Sequence, residues 1–111
     1  MPLLKQETVA QTTTDSYASL LKARTPEVTK VTVVIANTDS VNALKYRILG
    51  SNDPDGASGS YAIEKTESVL AANATERYSL SGSFFWIDIQ VADNVPASHA
   101  IASAWLHGCG V

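Results

Sequence analysis

The sequence predicts an all-β domain, a single antiparallel β-sandwich of seven to eight strands, and three observations predict it. Runs of about five to nine residues rich in β-branched and aromatic side chains recur along the chain, clusters of turn formers separate them, and no long segment carries a helical period. Strand spacing of this kind fits either a jelly roll or an immunoglobulin-like Greek key. At 111 residues the chain has the size of one domain. Such a chain buries roughly two-thirds of its unfolded surface, enough for a core without metal or disulfides.

Taken in order, residues 1–16 read as an N-terminal arm or first strand, and residues 17–111 as the sandwich domain. The stretch 8–14 is polar and β-prone; residues 17–23 fit either a strand or a helical turn. Residues 31–36 (VTVVIA) are apolar on both faces, as in a central strand, and end in the turn cluster 37–40. Residues 44–48 alternate strictly, with Leu44, Tyr46 and Ile48 inward and Lys45 and Arg47 outward. Residues 50–60 hold every common turn former and read as a loop. The chain resumes in extended form at 61–65, while 69–72 is either a strand end or a helical turn. A strand at 75–80 directs Tyr78 and Leu80 inward, and one at 84–91 sets Ile87, Ile89 and Val91 against Trp86, Asp88 and Gln90. The last strand, about 99–107, carries Ile101 and Trp105 on one face. Its other face is Ala100, Ala102, Ala104 and Leu106, small enough to admit a close neighbour.

Composition narrows the function. Charged residues make up 17% of the chain, below the ~25% usual for soluble domains. That low density fits a surface covered in part by neighbours, or one solvated by Ser, Thr and Asn instead. The net charge is −3, and the eight basic residues lie singly between Lys5 and Arg77, which argues against a phosphate-binding footprint, and no nucleic-acid partner is expected. No apolar run approaches the ~18 residues of a membrane span. Nor does residues 1–8 contain a signal-peptide core, and the expectation is a protein made in a reducing cytoplasm without an export address. The single cysteine, Cys109, reads as an incidental thiol between glycines, and the sequon at Asn73 as a turn.

Each candidate for chemistry fails on spacing. Aligning Gly56 with a calcium-loop glycine places Ser51, Asp53 and Asp55 at ligand positions, but Ala62 stands where a bidentate Glu is required. His99 and His107, eight residues apart on one strand, sit about 26 Å from each other, too far to share a metal. No nucleophile elbow or phosphate loop occurs. Asp88 has no partner carboxylate and is expected to point outward or toward an interface. The reading is therefore a non-enzymatic module with no cofactor and no metal. Trp86 and Trp105, with Tyr46, Tyr61 and Tyr78, are candidates for an aromatic platform that would bind sugar, although the tyrosines alternate as core residues do.

Residues 31–38, the run 44–53 with its "GSND" turn, and the segments 78–80, 84–91 and 104–106 together resemble the small β-sandwich proteins of tailed bacteriophages, particularly head decoration and capsid-stabilising proteins. The resemblance covers about residues 15–107 and has no catalytic signature. It implies a virion protein, often trimeric, that adds to the outside of an assembled head and bridges capsomers. Its expected partners are the major capsid protein and its own copies, and its expected location is the capsid surface. The candidate capsid or inter-subunit contacts are Leu3, Leu4, Glu7, Thr8, Trp86, His99, Trp105 and His107, with residues 1–16 as an arm that orders against the shell or a neighbouring copy. The alternative is a carbohydrate- or receptor-binding module of a tail fibre or cell surface.

Overall fold

The computed structural model describes residues 3–7, 10–25, 30–81 and 84–109, with side chains at 10–25, 30–57, 59–80 and 84–108. Thr8 lies outside the described residues. Among the described residues nine strands form: β1 (Leu3–Glu7), β2 (Gln11–Thr12), β3 (Ala18–Arg24), β4 (Lys30–Asn37), β5 (Leu44–Ser51), β6 (Ala62–Leu70), β7 (Thr75–Ser81), β8 (Trp86–Asp93) and β9 (Ile101–Cys109). β1 and β2 both run along the same side of β9, with the register slipping by one residue between the pairs Glu7–Trp105 and Gln11–Ala102. They are two halves of one interrupted edge strand.

Counted that way, the strands pair first with last and inward from there: β1/β2 with β9, β3 with β8, β4 with β7, and β5 with β6. The chain is thus a long antiparallel hairpin turned at the loop after Ser51. Two further pairings, β4 with β9 and β5 with β8, roll that hairpin into two sheets, ordered β1–β9–β4–β7 and β3–β8–β5–β6. The fold is a jelly roll. Alternation alone left it level with an immunoglobulin-like order.

The core lies between the sheets and follows the period-two pattern. Val31, Val33 and Ile35 of β4 and Leu106 of β9 meet Leu44, Tyr46 and Ile48 of β5 and Ile87, Ile89 and Val91 of β8 in one buried cluster. β3 breaks the pattern, because both Leu20 and Leu21 are buried. A register shift between Ser19 and Leu21 explains this, since a bulge turns consecutive side chains to the same side. Ala100, Ala102 and Ala104 are wholly buried. The close neighbour that these small residues admit is the opposing sheet, which approaches β9 at β3.

Several boundaries differ from the sequence reading. β5 continues through Gly50 and Ser51, β8 begins at Trp86 rather than Phe84, and His99 precedes β9. Residues 18–24 and 62–70 are strands, so neither stretch that fitted a helical turn forms one. Asn73 turns the chain from β6 into β7 at φ 59°, a left-handed conformation that asparagine tolerates.

Candidate functional site

Three surfaces bring together the residues singled out in the sequence. On the outer face of the β1–β9–β4–β7 sheet, backbone register aligns Glu7, Trp105, Val34 and Arg77 in one row across four strands. The adjacent row is Lys5, His107, Thr32 and Ser79. Trp105 and Val34 are half-buried and His107 is exposed. Ile101 stands on the same face of β9, 37% exposed. Leu3 and Leu4 take register positions opposite Cys109 and Gly108, so the backbone of β1 is paired within the chain. This face carries a short apolar strip, Trp105 beside Val34, with Ile101 beyond Ser103 on β9, bordered by positions of mixed charge.

The outer face of the second sheet is chemically different. Tyr17 donates its hydroxyl to Glu67, and the Lys45 ammonium lies 3.6 Å from the same carboxylate. Arg47 stacks 4.1 Å from the centroid of the Tyr17 ring and donates from Nε to Gln90 at 2.8 Å. Gln90 and Ser19 both donate to Asp88. Asp88 was expected to point outward or toward an interface. It does belong to the outer face, but at 7% exposure it is buried beneath these side chains. Trp86 occupies one corner: its Nε1–H donates to the carbonyl of Pro54 at 3.1 Å, and Lys22 lies over its ring and that of Tyr61. A Cβ on Gly56, whose φ is +64°, would fall 2.8 Å from Trp86 Nε1, so the indole seats against the glycine of the loop. Asp53 spends its carboxylate in the same loop, accepting the N–H groups of Asp55 and Ala57 at 3.0 and 3.3 Å.

Trp86 and Trp105 therefore lie on opposite outer faces, and Tyr46 is a core residue at 1% exposure. The five aromatics do not form one platform.

The charged layer gives a pH prediction. The Tyr17 hydroxyl, with Lys45 and Arg47 nearby, holds the Glu67 carboxyl below its ordinary 4.5. The N–H groups of Asn42 and Val41 hold Asp39 below 3.8. A depressed folded value means stability that is present above the unfolded value and lost as pH falls through the folded one. Thermal unfolding scanned from about pH 7 to pH 2 should therefore show Glu67→Gln below wild type at neutral pH, with the two curves converging in acid. A gap that stays constant into acid contradicts this assignment.

The third cluster sits at one end of the sandwich, where the β2–β3 and β8–β9 loops meet. Asp93 ends β8 with its side chain fully buried, and His99 Nδ1 lies 2.8 Å from its Oδ2. Thr13 donates its hydroxyl to the other oxygen, Oδ1, and itself accepts the Ala100 N–H at 2.8 Å. Asp15 accepts the N–H of Ala97 at 2.8 Å, and Ala97 stands at φ 66°. Ligand atoms of Asp15, Asp93 and His99 all lie within 4.8 Å of one another. Spacing along the strand relates His99 only to His107. Its actual neighbours are distant in sequence, and nothing in the local pattern marked them.

No protein-family model matches the chain, and no curated protein sequence matches it. Among solved structures it is similar to PirA, with TM-score 0.65 and 18% identity over 93% of each chain. It is also similar to a chain of the infectious bursal disease virus VP2 subviral particle, with TM-score 0.65 and 12% identity. That match covers 96% of this chain and 32% of the viral one, so the jelly roll corresponds to about a third of the viral polypeptide. A third likeness, at TM-score 0.58 and 7% identity over 98% of this chain and 89% of the other, is to a chain of Bacillus endospore appendages, described as disulfide-linked pili. What these proteins share with the chain is its fold.

Proposed function

We propose that the chain is a virion structural protein, non-enzymatic, that binds the outside of a phage head as a decoration protein and docks through the outer face of its β1–β9–β4–β7 sheet. The observation that carries this reading is the strip of Trp105, Val34 and Ile101, apolar side chains at the outer surface of a four-strand face. A half-buried indole beside an aliphatic side chain and rimmed by polar positions has the make-up of an interface anchor. The low charge of the chain and its resemblance to phage decoration proteins support the same reading. So does the fold it shares with a chain of a virus particle and a chain of a pilus, both repeating assemblies. The major capsid protein is the partner that fits this strip, and copies of the chain itself complete a trimer over the shell. Many weak, repeated contacts then add to a stable coat.

The sugar-binding alternative would use Trp86, whose indole edge is already engaged by Pro54 and whose ring lies against Gly56. Both indoles are half-buried, but the Trp86 edge is already spent within the chain. Co-sedimentation with assembled heads of the encoding phage separates the readings. Trp105→Glu is expected to lower the bound fraction at least about tenfold, a loss of about 1.4 kcal/mol or more, while Trp86→Ala binds as wild type. Binding that survives Trp105→Glu overturns the docking face, and binding that free sugar or Trp86→Ala abolishes favours the alternative.

A further inference from the structure

We propose that Asp15, Asp93 and His99 bind one divalent transition-metal ion, with Zn2+ the best fit, which ties the β2–β3 loop to the β8–β9 loop. Asp93 is the fixed point of the site. Its side chain is fully buried, and its Oδ2 accepts no hydrogen bond among the described residues. Buried carboxylate oxygens are ordinarily satisfied, and one that is not marks a place for an ion or water. His99 Nδ1 meets this oxygen at 2.8 Å, at ion-pair distance but out of hydrogen-bond alignment. Two ligand atoms thus face one another, with a third, from Asp15, within 4.8 Å.

The surroundings are those of a supported coordination site. Thr13 holds Asp93 Oδ1 and leaves Oδ2 to the ion, and the Ala97 N–H holds Asp15 Oδ1. Outer hydrogen bonds of this kind fix the direction of ligating carboxylates. Two carboxylate oxygens and an imidazole nitrogen suit Zn2+ or Mn2+, whereas Ca2+ and Mg2+ prefer oxygen alone. Zinc bonds of about 2.0–2.2 Å set ligand atoms roughly 3.3 Å apart in a tetrahedron. Asp15 and His99 are exposed, and small shifts of their side chains adjust these separations, while Asp93 stays fixed. Water takes the fourth position.

The test uses the full, untagged chain stripped with chelator, with calorimetric titration and thermal unfolding in Zn2+, Mn2+, Ca2+ or Mg2+. One Zn2+ per chain and a raised midpoint are expected, with little response to Ca2+ or Mg2+. Asp15→Asn and His99→Gln, both at exposed positions, should keep the fold by circular dichroism and weaken Zn2+ binding about tenfold or more. Three results overturn the proposal: no stoichiometric binding, binding unchanged in both variants, or tighter binding of Ca2+ than of Zn2+. The first leaves His99 and Asp93 as a simple ion pair.

Discussion

Tyr46→Ala is expected to lower the free energy of unfolding by about 3–5 kcal/mol, the cost of emptying an aromatic site in a close-packed core. Tyr46 is among the largest fully buried side chains and points between the sheets with Leu44 and Ile48. As β5 is an inner strand of its sheet, flanked by β8 and β6, the surroundings have little freedom to collapse into the void. Burial, with Glu76 adding to it, raises the phenol to about 12, so the residue stays neutral across the range in which stability is measured. Tyr46→Phe retains the ring and should cost less than about 1.5 kcal/mol. Urea unfolding of the two variants checks the assignment. Equal losses would place the stability in the hydroxyl rather than in ring burial.

Asn37→Leu should cost about 2–4 kcal/mol, although it replaces a polar side chain in the interior by an apolar one. Asn37 is 1% exposed at the end of β4, and all its polar atoms are used. Its amide donates to the carbonyls of Asn42 and Leu70 at 2.9 and 3.2 Å, and its side-chain oxygen accepts the Asp39 N–H at 3.0 Å. One side chain thus shapes the β4–β5 connection and links the end of β4 to the end of β6 in the opposite sheet. Leucine removes the partner of two carbonyls and an N–H at a buried position. A loss below about 1 kcal/mol in the same urea measurement would show that water replaces those bonds.

Asn37 also shows where sequence reasoning stops. As part of a turn cluster it signals a strand end, and that is where β4 ends. Its burial and its link to Leu70 depend on which strands are neighbours, and alternation does not encode neighbours. The same limit governs the tryptophans. Each was legible as an outward residue of its strand, but only the sheet order shows that β8 and β9 belong to different sheets and that the two indoles face away from each other. Asp88 alternated correctly to the outer face, yet its cover comes from Ser19 on β3 and Gln90 beside it. The inward positions of β4, β5 and β8 were legible because most are large apolar side chains, although β5 runs three residues past the alternating stretch and β8 sits two residues later than its expected span. β3 was not, because its bulge buries two consecutive leucines and erases the period. Asp15, Asp93 and His99 are joined only by the roll of the hairpin, which sets the loop before β3 beside the one after β8.

The central claim, a protein seated on the outside of a head through its β1–β9–β4–β7 face, is tested most directly by electron cryomicroscopy of heads assembled with and without this chain. The account predicts added density on the outer surface of the shell, fitted by a sandwich of 41 × 27 × 21 Å with Trp105 toward the capsomers and Trp86 turned away. Heads of identical density in the two preparations, or added density that meets the shell through the Trp86 face, would contradict it.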